Sequence, residues 1–95
     1  MPAIGVITLE LRVNDSHSLK DKRRYVKGLK DRLRQKYNVA VAEIGYQDLW
    51  QRSLVSAVTV SSSREVAEQT LQGVEREAEN ALGPYLIEAT VEWLE

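Results

Sequence analysis

Residues 3–13, Ala3-Ile4-Gly5-Val6-Ile7-Thr8-Leu9-Glu10-Leu11-Arg12-Val13, decide the fold. Ile7, Leu9, Leu11 and Val13 share one side, and Thr8, Glu10 and Arg12 share the other. A period of two marks a strand with a single buried face. The pattern returns at the far end, with Tyr85, Ile87, Ala89, Val91 and Trp93 inward and Glu88, Thr90 and Glu92 outward. Asn14-Asp15-Ser16 breaks the first strand, and Ser18 with Asp21 offers a capping signal. A helix follows from about Leu19 to Tyr37. At about 100° per residue, Leu19, Val26, Leu29, Leu33 and Tyr37 fall on one arc. Val39 to Gly45 is β-branched and alanine-rich, a second strand, and residues 54–60 form a third, with Leu54, Val58 and Val60 on one side. Residues 46–52 read as the connection between them. Ser62 with Glu65 opens a second helix to about Leu82, burying Ala67, Thr70, Leu71, Val74, Ala78 and Ala81. Gly83-Pro84 ends it.

The order is therefore βαββαβ. Two right-handed crossovers give a four-stranded antiparallel sheet with both helices on one face, the ferredoxin-like α+β sandwich. Ninety-five residues suit one core, so residues 1–95 are expected to form a single domain. There is no cysteine, which removes disulfides, thiolate nucleophiles and zinc knuckles. The apolar start is interrupted by Glu10 and Arg12, which suits neither a signal peptide nor a spanning helix. The expectation is a cytoplasmic protein without a membrane partner.

The charge is sorted along the chain. The net value is only -1, yet nine of the 13 lysines and arginines lie between Lys20 and Lys36. Lys20, Arg23, Arg24, Lys27, Lys30 and Arg34 share the flank away from the apolar arc. Such spacing suits a phosphate backbone. The second helix instead carries Glu65, Glu68, Glu75, Glu77 and Glu79, which could neutralise its neighbour.

Three motifs carry a family resemblance: Ser18-Leu19-Lys20-Asp21-Lys22-Arg23-Arg24, Asn38-Val39-Ala40-Val41-Ala42-Glu43 and Gln47-Asp48-Leu49-Trp50-Gln51-Arg52. In this order they resemble the bacterial YlxP-like family, a domain of unknown function. The resemblance implies the same ferredoxin-like fold. Its members are often encoded beside translation-initiation and ribosome-maturation genes, which implies an RNA or ribosome partner by association alone.

Enzymatic chemistry finds little support. His17 is the only histidine, so no histidine metal pair or histidine-based triad exists. Capping explains Ser16 and Ser18 better than nucleophilic attack does. Glu43 and Asp48 are a carboxylate pair without a third ligand. The loop Asn14-Asp15-Ser16-His17-Ser18 lacks the glycines and arginine of an acylphosphatase phosphate loop. No catalytic residue, metal, cofactor or small-molecule ligand is expected. The first expectation is a non-enzymatic binding protein contacting RNA through Lys20, Arg23, Arg24, Lys27, Lys30 and Arg34. Outward aromatics of the RNA-recognition type are absent from the sheet, so the helix would make the contact. The alternative is a homodimer hiding the open sheet face and the partner-interface candidates Tyr46, Gln47, Asp48, Leu49, Trp50 and Arg52. Trp, Tyr and Arg are the types that dominate interface hot spots.

Overall fold

The computed structural model describes residues 1–95. Strand β1 spans Ala3–Arg12, helix α1 Leu19–Lys36, β2 Ala40–Gly45, β3 Arg52–Ser61, helix α2 Arg64–Leu82 and β4 Leu86–Trp93. A short 3₁₀ turn, Gly83–Tyr85, joins α2 to β4. The sheet is fully antiparallel in the order β2-β3-β1-β4, and the sandwich is ferredoxin-like as expected. β1 and β3 are the two interior strands. Ile7, Leu9 and Leu11 of β1 and the following Val13 meet Val26, Leu29 and Leu33 of α1. Leu71, Val74, Ala78 and Leu82 of α2 complete one core with Val41, Val55 and Ala57.

Ser18 caps α1, its hydroxyl accepting from the Asp21 amide at 3.0 Å. The cap of α2 is Ser63, accepting from the Val66 amide at 3.2 Å. It lies one residue beyond the expected Ser62. α1 ends at Lys36, because Tyr37 is already extended (φ -132°, ψ 154°).

Three expectations change. β3 begins at Arg52, so this residue belongs to the sheet and not to the connection. Leu54, Val58 and Val60 do share one side, but it is the face away from the helices. Ser53, Val55, Ala57 and Thr59 are the buried set. The inward hydroxyls are matched: Ser53 donates to Glu43 Oε2 at 2.6 Å and Thr59 to the Asn38 carbonyl at 2.8 Å. In β4 a bulge between Glu88 and Leu86 lets Leu86 oppose Leu11, leaving Ile87 46% exposed. Tyr85 falls in the 3₁₀ turn. The inward positions that survive are Ala89, Val91 and Trp93, paired with Leu9, Ile7 and Gly5. Gly5 makes room for the indole, since a Cβ there would meet Trp93 Cζ3 at 2.6 Å.

Candidate functional site

The three motifs converge on Lys22. At 100° per residue this lysine falls on the apolar arc of α1, between Val26 and Leu29, and it is fully buried. Its ammonium donates to the carbonyls of Tyr46 at 2.7 Å and Gln47 at 3.1 Å, and lies 3.1 Å from Glu43 Oε2. Ser53 donates to the same carboxylate oxygen. A buried cation thus has three acceptors, as its desolvation requires.

Lys22 fixes the shape of the connection between β2 and β3. Tyr46 has φ 57°, the chain's only non-glycine residue in the left-handed region. Its carbonyl receives both Lys22 and the Leu49 amide, the latter at 3.0 Å. Gln47 donates to the Glu43 carbonyl at 3.1 Å. Gln51 donates to the carbonyls of Asn14 and Ser16 at 3.2 and 3.1 Å, tying the connection to the loop before α1. Arg52 donates to Glu10 at 2.6 Å and stacks on Tyr46 with its guanidinium carbon 4.1 Å from the ring centre. The Glu10 hydrogen bond holds its guanidinium above the usual arginine range. Its Nε is buried without an acceptor. Of the six interface candidates, Tyr46, Gln47 and Arg52 are therefore engaged within the chain. Asp48, Leu49 and Trp50 face solvent, and Trp50 is 56% exposed.

Glu43 and Asp48 are not a metal pair in this arrangement. Glu43 serves Lys22 and Ser53 while Asp48 is exposed, and no three ligand-type side chains come together.

The cationic flank of α1 lies on the β2 side of the molecule. Arg34 reaches across to donate to the Val41 carbonyl at 2.9 Å. The other flank faces α2, where Glu77 takes Lys36 at 3.0 Å and Arg32 at 3.7 Å. Glu77 is the only α2 glutamate that pairs with α1. The expected mutual neutralisation thus spares the six candidates. Lys20, Arg23 and Lys30 have no carboxylate partner. Arg24 and Lys27, each 76% exposed, pair only with Asp21 (2.8 Å) and Asp31 (2.7 Å) of their own helix. The Lys27 hydrogen bond holds the Asp31 carboxyl below its ordinary 3.8. Such exposed pairs are weak and screened by salt. Only Arg34 is diverted, to the β2 edge.

The motif residues also identify the lineage. A family model described as a protein of unknown function, DUF503, matches residues 4–91. The chain belongs to this family. It is 45% identical over 71 residues to the uncharacterized protein YlxP of Bacillus subtilis strain 168, covering 75% of this chain and 77% of that one. Among solved structures, the de novo designed protein Foldit4 matches with a TM-score of 0.62 and 14% identity, over 100% of this chain and 98% of its own. The designed protein LFR1 1, described as having a ferredoxin fold, gives 0.50 and 17%, over 98% and 83%. A C-terminal segment of the aIF2 alpha subunit from Pyrococcus abyssi gives 0.55 and 13%, over 99% and 50%. At such identities the likeness concerns the fold alone, and two of these three folds were designed.

In this DUF503 member no helix is long and apolar enough to cross a membrane. Sequence reasoning placed Lys22 in a basic run and missed its burial. Its angular position on the apolar arc was the signal that could have found it.

Proposed function

We propose that the protein is a non-enzymatic RNA-binding domain that takes a single strand along the outer flank of α1. The supporting observation is the asymmetry of α1: Lys20, Arg23 and Lys30 lack any carboxylate partner, and Arg24 and Lys27 have only weak exposed ones. Phosphates would meet these five side chains. Trp50 supplies a stacking platform on a connection that Lys22 holds to the same helix. Base stacking on an aromatic face is tolerant of sequence and adds to backbone contacts. Arg52, turned onto Glu10 and Tyr46, is not needed for the contact.

The test is fluorescence anisotropy with labelled single-stranded RNA across a salt series. Each neutralised phosphate contributes about -0.7 to the slope of log K against log salt. Five contacts therefore give a slope of roughly -3.5. Lys20→Glu with Lys27→Glu should abolish binding. Absence of binding to ribosomal RNA at low salt refutes the reading.

One observation favours a second reading, a homodimer through the open face. Ile44 and Val60 are each 56% exposed there, beside Ala40, Ala42, Leu54 and Val58. Sedimentation velocity decides it: a monomer at high concentration removes this reading and leaves the first untouched.

A further inference from the structure

The two edges of the sheet are treated differently. A free strand edge is a template for another chain, and proteins usually blunt it. β2 is blunted: Arg34 donates to the Val41 carbonyl and Gln47 to the Glu43 carbonyl, two positions of the same parity along the edge. β4, the opposite edge, receives no side-chain donor. The Leu94 amide donates to the Ile4 carbonyl, towards β1. By the two-residue alternation of an antiparallel ladder, the amides and carbonyls of Ala89, Val91 and Trp93 point out to solvent.

Beside this bare edge runs a groove. Leu71 of α2 with Val91 and Trp93 of β4 form its apolar part, and Glu68, Gln72 and Glu75 of α2 form its polar part, enclosing about 210 Å³. Val91 is 43% exposed although it sits on the helix side of the sheet. On the other side β4 presents Glu88, Thr90 and Glu92, opposite Glu10, Thr8 and Val6. Arg64 places its guanidinium 3.6 Å from the centre of the Trp93 ring, with Glu68 at 3.2 Å.

We propose that β4 is a docking edge for an extended cationic segment of another protein, which adds as a fifth strand in the groove beside α2. Main-chain hydrogen bonds would supply affinity and alternate side chains specificity, the usual division in strand addition. The spacing sets the pattern. Residues opposite Ala89 and Val91 lie in the apolar groove. Residues opposite Glu88 and Glu92 are lysine or arginine, four positions apart, which gives cation-apolar-any-apolar-cation. A second copy of this chain is disfavoured in the register centred on Thr90. Antiparallel β4 pairing centred on Thr90 sets Glu88 against Glu92 of its partner twice, and like charges directly opposite are destabilising. The surface is separate from the cationic flank of α1, so the RNA reading can fail without affecting this one.

The experiment titrates ¹⁵N-labelled protein with a peptide whose core is Lys-Val-Thr-Val-Lys between Gly-Ser flanks. A control peptide carries glutamate for lysine. The expected result is amide shifts confined to Leu86–Trp93 and the facing side of α2, with the lysine peptide bound roughly tenfold tighter at low salt. Glu88→Lys with Glu92→Lys should reverse that order. Val91→Pro should abolish both interactions, because proline removes an outward amide and is tolerated on an edge strand. The proposal is overturned if the two peptides bind equally, if shifts are absent at millimolar peptide or map elsewhere, or if sedimentation shows self-association that Val91→Pro removes. Should Val91→Pro fail to fold, the charge reversal alone decides.

Discussion

Lys22→Ala tests the central device of the molecule. The lysine is 0% exposed and its carboxylate partner Glu43 is 16% exposed. Removing one member of a buried pair costs about 3–5 kcal/mol, chiefly because the other charge stays buried without its partner. Glu43 keeps the Ser53 hydroxyl and some contact with water, which favours the low end. The Gln47 carbonyl loses the Lys22 donor, whereas the Tyr46 carbonyl keeps the Leu49 amide. A loss of roughly 3 kcal/mol follows. It lowers Tm by about 12–24 °C in a domain of this size. An ordinary surface lysine to alanine change stays within about 0.5 kcal/mol, and Lys20→Ala is the control. Urea denaturation followed by tryptophan fluorescence measures both. Lys22→Met separates charge from packing by keeping a long apolar stem. Combining it with Glu43→Gln should cost less than the sum of the two single changes, the sign of a direct pair. A Lys22→Ala loss below about 1 kcal/mol, or strict additivity in that cycle, refutes the reasoning.

Tyr85 donates a hydrogen bond to the Asp15 carboxylate, which with desolvation pushes its hydroxyl from 10.0 up to about 12. The folded value lies above the unfolded one, so this contribution to stability is complete below pH 10.0 and disappears as pH rises through about 12. Ultraviolet titration should show one phenol ionising near pH 12, absent from Tyr85→Phe. Arg34→Ala with Gln47→Ala strips the donors from the Val41 and Glu43 carbonyls, and light scattering should then show more concentration-dependent association than in the parent.

The fold was legible because each element announces its period. β1 alternates, α1 and α2 carry apolar arcs, and serine and glycine-proline signals bracket the helices. The errors share a physical cause. In β3 the larger side chains, Leu54, Val58 and Val60, face away from the helices, and the small Ser53 and Ala57 face them. The helix side must leave room for α1 and α2 and must serve Glu43 and the Asn38 carbonyl with hydroxyls. Hydropathy alone gives the opposite assignment. The β4 bulge left one trace, since Leu86 is the single apolar residue out of phase between Tyr85 and Trp93, and it is the residue that the bulge turns to oppose Leu11. The six cations do share one flank of α1, but residue type could not reveal that Arg34 is spent on the β2 edge.

The motifs separate into residues whose bonding capacity is used inside the chain and residues left over. Lys22, Glu43, Gln47, Gln51 and Arg52 are used. Lys20, Arg23, Asp48, Leu49 and Trp50 are exposed and make no side-chain hydrogen bond or ion pair. Tyr46 is held at positive φ, a conformation that costs of order 1–3 kcal/mol and persists only when its surroundings impose it. Chain closure alone does not require such a tether, since a relaxed turn would join β2 to β3. The internal contacts are therefore best understood as fixing how Asp48, Leu49 and Trp50 are presented. This makes a distinction that binding data can read. Trp50→Ala should weaken an RNA partner with little change in stability, because the indole is 56% exposed. Lys22→Met should weaken the same partner through loss of the connection's shape, and lowering the temperature until the variant is fully folded should restore part of it. If Trp50→Ala leaves binding unchanged while Lys20→Glu removes it, the connection is architecture only and the contact belongs to α1 alone.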